Sequence, residues 1–82
     1  MNQQNADLTY YSDIQRHLVC VPYTIENLHR MANELQIKRC WFHNKKSKEH
    51  YDIPKRRITE IHSKTNVVEP QTILAIIKGE FR

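Results

Sequence analysis

The sequence predicts an α/β fold: a small single domain with a short mixed sheet of about four strands and three helices. Short β-type runs alternate with amphipathic helical segments, in the order strand, helix, strand, strand, helix, strand, helix. The chain has 82 residues, which suits one domain with a thin core. A domain of this size buries only about 60–65% of its unfolded surface. Leu, Ile, Val and aromatic residues are spread along the whole length, which favours folding over disorder.

Residues 1–15 are expected to be a partly disordered N-terminal segment, and residues 16–82 the single α/β domain. MNQQNAD is polar without periodicity, and Leu8 to Ser12 carry adjacent tyrosines in no clear pattern. His17-Leu-Val-Cys-Val21 is a short β-type run closed by Pro22. Thr24 then offers an N-cap to a segment with apolar residues at Ile25, Leu28, Met31, Ala32 and Leu35. That spacing predicts an amphipathic helix ending near Ile37. Cys40-Trp-Phe-His43 reads as a second strand, Asn44 to Lys48 as a polar loop, and His50-Tyr-Asp-Ile53 as a third strand. Pro54 is placed to begin a helix that turns Ile58 and Ile61 inward. Val67-Val68 forms a brief fourth strand. Pro70 opens a last helix carrying Ile73, Leu74, Ile76 and Ile77, with Gly79 as its stop.

Several function classes fall away on composition. One glycine in the whole chain excludes P-loops and dinucleotide fingerprints. Ser12, Ser47 and Ser63 lie in polar context without a nucleophile elbow. No apolar run approaches membrane-spanning length and no signal peptide opens the chain, so a soluble, cytoplasmic protein is expected. Cys20 and Cys40 do not make a disulfide framework and read as small hydrophobes. Cys40-x2-His43 with His50 and Cys20 offers zinc-type ligands, but the spacing lacks a second knuckle and predicts no structural zinc.

Charge is concentrated. Eight of the thirteen cationic residues lie between Lys38 and Arg57, against only Glu49 and Asp52. Lys45, Lys46, Lys55, Arg56 and Arg57 would attract phosphate, although a solvated face reads the same way from charge alone. Trp41 and Phe42 beside the lysines resemble a stacking platform, yet strand neighbours face opposite sides, so at least one belongs to the core.

Alternation places His50 and Asp52 on one face of their strand and Tyr51 on the other. The pair could flank a ligand or simply face solvent. His29 sits about 90° from the centre of the apolar stripe of its helix, on the border. His17 begins the strand that leads into that helix and could lie near His29.

His17-Leu18, Leu28-His29 with Met31-Ala32, Leu35-x-Ile37-x-Arg39, Phe42 and His50-Tyr51-Asp52-Ile53-Pro54 together form a pattern. It resembles domain-of-unknown-function family 4031, small bacterial and tailed-phage proteins with a His-Tyr-Asp motif. The resemblance covers roughly residues 16–78. It implies His17, His29, His50, Tyr51 and Asp52 as the polar signature, with Arg57 matching a basic residue after it. Two departures stand out. The acidic turn common near the start of such proteins is not reproduced, Asp13 being the nearest acid, and Gln36 stands where a glycine is usual. If that turn serves chemistry, this chain binds without catalysing.

Charge and resemblance together lead to a phage-type accessory or counter-defence protein. It would bind a phosphate-bearing ligand: a nucleotide, a nucleotide-derived signal or nucleic acid. Lys45, Lys46, Lys55, Arg56 and Arg57 would supply charge, and His17, His29, His50, Tyr51 and Asp52 directed contacts. A homo-oligomer is expected, because one such domain has little room for a deep pocket. The enzymatic alternative is a phosphoester hydrolase or nuclease with Asp52 orienting His50, and His17 or His29 sharing in catalysis or holding a divalent metal. The third reading is an inhibitor that docks a host protein through the basic face.

Overall fold

The computed structural model describes residues 7–81. In chain order its elements are β1 (Thr9–Ser12), β2 (His17–Val21), α1 (Ile25–Glu34), β3 (Phe42–His43), β4 (His50–Asp52), α2 (Ile58–Ser63), β5 (Asn66–Val67) and α3 (Pro70–Lys78). Single 3-10 turns, Arg39–Trp41 and Lys55–Arg57, lead into β3 and α2. The strands form one sheet in the order β3-β4-β2-β1-β5. Only the β1–β5 pair is parallel. The fold is therefore the mixed α/β domain the sequence predicts, with one more strand.

That strand is β1, drawn from residues in which the sequence shows no pattern. It lies between β2 and β5 with both faces covered. The Tyr10 hydroxyl bonds Glu34 at the end of α1. Tyr11, on the other face, meets the edge of Phe81 just beyond α3, with ring centroids 5.2 Å apart. A strand covered on both faces has no apolar–polar alternation to reveal it. Residues 1–6 of the expected N-terminal segment lie outside the described residues.

The register sorts the sheet into two faces. Tyr10 pairs with Cys20, Ser12 with Leu18, Leu18 with Tyr51 and Tyr51 with Phe42. These side chains share the face covered by α1 and α2. Tyr11 pairs with Val19, His17 with Asp52 and His43 with His50, on the face toward α3. Leu18, Val19, Leu28, Met31, Tyr51, Ile53, Ile61, Ile73 and Ile76 are buried between the layers.

Local sequence fixes the helix ends. Thr24 caps α1, its Oγ1 accepting from the Asn27 N–H at 3.0 Å. The helix stops at Glu34, three residues before Ile37, because the chain closes a Schellman cap there. Gln36 N–H bonds the Asn33 carbonyl at 3.2 Å and Ile37 N–H the Ala32 carbonyl at 2.8 Å. This cap puts Gln36 at φ 60°, a left-handed conformation that favours glycine. The Arg57 guanidinium adds bonds to the Leu35 and Gln36 carbonyls at 2.8 and 2.7 Å, tying the start of α2 to the end of α1. Gly79 closes α3 at φ 76°. Among the described residues, no helix is long and apolar enough to cross a membrane.

Cys40 and Trp41 depart from the expected strand. The Trp41 N–H bonds the Lys38 carbonyl at 3.0 Å, which winds these residues into a turn and leaves only Phe42 and His43 in the ladder. Pro54 likewise opens a 3-10 turn, with α2 starting four residues later.

Candidate functional site

Register alone brings four polar side chains onto one face. His17 stands opposite Asp52 and His43 opposite His50. His50 and Asp52 are two apart on β4 and so project together. The His50 Nε2 lies 3.3 Å from Asp52 Oδ1, and the His43 Nε2 lies 2.8 Å from Asp52 Oδ2. His17 and His50 meet edge to face with ring centroids 5.1 Å apart, while His43 stacks on His50 at 5.1 Å and 8°.

The β1–β2 turn supplies a fifth group. Asp13 is fully buried, yet its carboxylate is satisfied by short-range bonds. Oδ1 accepts the Gln15 and His17 backbone N–H groups, each at 2.9 Å, and Oδ2 lies 2.9 Å from His17 Nδ1. An aspartate at a turn commonly accepts backbone N–H groups two residues on; this one also holds an imidazole. The His62 Nε2 bonds the Asp13 carbonyl at 3.1 Å, so α2 steadies the turn from behind.

Hydrogen bonding at Nδ1 defines what each ring offers. His50 Nδ1 is 2.7 Å from the Lys48 carbonyl, which can only accept. His50 therefore carries its proton on Nδ1. His17 Nδ1 meets the Asp13 carboxylate and does the same. In both rings Nε2 is the nitrogen left over, and the ligand atoms of His17, His50 and Asp52 all lie within 4.8 Å of one another. This trio can hold a metal ion.

A cleft of ≈ 210 Å³ opens above the trio. Its polar wall includes Gln15, His17, Lys45, Lys48 and His50, and its apolar wall comes from Pro70, Ile73, Leu74 and Ile77 of α3. Of the residues singled out in the sequence, His17, His50 and Lys45 line it, and Asp52 adjoins it through His50. Lys46 is exposed on the same loop without lining the cleft.

The remaining ones lie elsewhere. Tyr51 is buried on the opposite face of β4, its hydroxyl 2.8 Å from His29 Nδ1. His29 is thus separated from His17 by the sheet, although sequence proximity suggested that they meet. Phe42 packs against both, with centroids 4.6 Å from His29 and 5.3 Å from Tyr51. Burial lowers the His29 pKa, with a further push from the Arg39 charge, and burial raises that of Tyr51. Lys55, Arg56 and Arg57 line a separate open groove with Lys38 and Trp41. There Arg57 is engaged by main-chain carbonyls and by Glu60, whose carboxyl falls to about 2 beside Arg57 and Lys64. Burial drives the Cys20 thiol up to about 12, and neither cysteine joins the histidine cluster.

Lys48, Gln15 and His43 were not read from the sequence as part of this site. Strand pairing gathers them, and one chain's residue pattern does not print its pairing. Asp13 was visible only as the nearest acid to an expected acidic turn. The structure shows what Asp13 does in the β1–β2 turn: its carboxylate reaches His17.

The family model described as "Protein of unknown function (DUF4031)" matches residues 5–75. The chain belongs to that family. No curated protein and no solved structure matches it. The DUF4031 match takes in β1 and Asp13 as well as the His-Tyr-Asp block, so the whole β1–β2–β4 framework of the cluster lies inside the family domain.

Proposed function

We propose that the protein binds a compact phosphate-bearing ligand, a nucleotide or nucleotide-derived signal, in the cleft between the histidine face of the sheet and α3. The observation that carries this reading is the meeting of two chemistries in one opening. Lys45 and Lys48 suit an anion, while Ile73, Leu74 and Ile77 suit a flat apolar group. A nucleotide has both. The volume, ≈ 210 Å³, is below the roughly 300–1,000 Å³ of pockets for drug-sized ligands. That favours a small ligand, or one end of a nucleic acid, over a duplex.

Calorimetric titration with ADP, a dinucleotide and a short single-stranded RNA tests it. Saturable binding to the wild-type chain is expected, abolished in His50→Ala and weakened in Lys45→Ala/Lys48→Ala with the circular dichroism unchanged. Affinities unaffected by these substitutions would sink the proposal. A shallow salt dependence goes with a compact ligand and a steep one with nucleic acid.

The Asp13–His17 pair favours a second reading, phosphoester hydrolysis. A buried carboxylate that fixes one imidazole nitrogen leaves the other to move a proton, the arrangement general-base chemistry needs. His17 takes that role here, in place of His50. Product formation from nucleotide or RNA substrates, lost in His17→Gln, is the expected result. No turnover at high protein concentration would count against it. A phage-type accessory or counter-defence role in the cytoplasm goes with either reading. Self-association belongs to the proposal too, supported by Ile14 and Val67, which stand 76% and 48% exposed near the β5 edge. Native mass spectrometry should find a dimer or larger species.

A further inference from the structure

We infer that His17, His50 and Asp52 form a divalent transition-metal site, with buried Asp13 as the positioning residue behind its first ligand. The inference stands apart from phosphate binding, because the ion is held by this chain's own side chains.

Three observations converge on it. The ligand atoms of His17, His50 and Asp52 lie within 4.8 Å of one another, and one pair, His50 Nε2 and Asp52 Oδ1, is 3.3 Å apart. Bonds of about 2.0–2.1 Å at tetrahedral or octahedral angles separate neighbouring ligand atoms by roughly 2.8–3.4 Å. That pair already has the spacing one ion would impose.

The tautomers supply the second observation. His50 donates Nδ1–H to the Lys48 carbonyl at 2.7 Å, so in the neutral ring its Nε2 lone pair faces a carboxylate oxygen. Two acceptors face each other in that form, and a metal ion between them satisfies both, as a proton on Nε2 would. The third is the outer shell. His17 Nδ1 is held by the Asp13 carboxylate at 2.9 Å and His50 Nδ1 by a main-chain carbonyl. Metal-ligating histidines characteristically donate their second ring N–H to such partners, which fixes the ring and strengthens the ligand.

Two imidazoles and one carboxylate select a borderline first-row ion such as Zn2+, Co2+ or Fe2+ over Mg2+ or Ca2+, which prefer all-oxygen shells. Three protein ligands leave coordination positions open toward the cleft. Asp52 Oδ2, at 2.8 Å from His43 Nε2, is the tether that orients the carboxylate.

The test uses the full chain carrying Cys40→Ser, so that an exposed thiol cannot supply the signal. Chelator-stripped protein is titrated with Co2+ alone, with no nucleotide present, and the visible ligand-field absorption is followed; Zn2+ competition then reports its affinity. A saturable one-equivalent spectrum is expected, reversed by Zn2+ and not by Mg2+. Asp13→Asn should weaken binding by about 10–100-fold, the usual cost of losing an outer-shell partner. His50→Gln and Asp52→Asn, each removing a ligand, should weaken it further, and circular dichroism confirms that each variant is folded. His17→Gln replaces Asp13→Asn should the buried substitution disturb the turn. Overturning results are no ligand-field spectrum in the Cys40→Ser chain, or equal affinity in His50→Gln and Asp52→Asn. Failure of ADP to bind would leave the cobalt spectrum unchanged, so the two proposals fail separately.

Discussion

On one side of β4 Tyr51 meets His29, with Phe42 against both rings; on the other, His50 and Asp52 cluster with His17 and His43 beside the cleft that α3 closes. Both sides contain histidine, and both belong to one three-residue strand. On the Tyr51 side the half-buried His29 ring projects from α1 onto Tyr51 and Phe42, burial lowers its basicity, and one hydrogen bond satisfies Nδ1. On the His50 side, His50 and His43 turn Nε2 to the Asp52 carboxylate, beside the opening that His17 and His50 line. The same residue type serves packing in one place and chemistry in the other, and strand alternation makes the division.

Truncation should separate the two sides most strongly. Tyr51 is 1% exposed, so Tyr51→Ala removes a filled core position and should cost about 3–5 kcal/mol. His50→Ala, at the cleft, should cost under about 1 kcal/mol while removing binding. Urea unfolding of both variants measures this. Comparable losses would show that the histidine face also holds the fold together.

Removing one atom sharpens the contrast. Tyr51→Phe keeps the ring and deletes the hydroxyl that bonds His29 Nδ1 at 2.8 Å. It should destabilise the chain by about 1 kcal/mol and leave ADP and Co2+ affinities as in the wild type. A loss of affinity without loss of fold would make His29 and Tyr51 part of the site, as the family signature implies.

How much of this was legible in the sequence follows from the same division. Alternation along His50-Tyr51-Asp52 correctly parts Tyr51 from its neighbours, and Thr24, Pro70 and Gly79 mark helix ends by local chemistry. Both depend on residues adjacent in the chain. By contrast, the pairing of β2 with β4, the meeting of His17 with Asp52 and the burial of β1 depend on partners 33 or more residues away or on covering helices. His29 misled for a related reason. A border position on α1 fits either side of the sheet edge, and only the placement of α1 over Tyr51 decides it. Arg57 looked like a phosphate ligand because sequence shows its charge and hides the carbonyls of Leu35 and Gln36.

The packed side should also answer to pH. Burial holds the His29 pKa below its ordinary value, so between the two pKa values the unfolded chain binds more protons than the folded one. This contribution is full above about pH 6.5, the unfolded value, and is lost as pH falls through the lower folded value. Stability of the wild type relative to His29→Gln should therefore be constant at neutral pH and decline on acidification below about 6.5. A difference that grows as pH falls would place a charged, partnered His29 in the folded chain.

The smallest expected effect bears on whether the two sides can be tuned apart. Gln36 holds φ 60° in the cap that ends α1, on the packed side and away from the cleft. A residue with a Cβ pays roughly 1–2 kcal/mol in that conformation, partly offset because glycine loses more backbone entropy on folding. Gln36→Gly should thus raise stability by about 0.5–1 kcal/mol. The two cap bonds and the Arg57 contacts use main-chain atoms, so they survive the change. Thermal unfolding reads the gain, and the Co2+ titration should be indistinguishable from wild type. If stabilising α1 altered metal affinity, the sheet would be transmitting strain between its faces, and β4 would couple the two histidine constellations that its alternation holds apart.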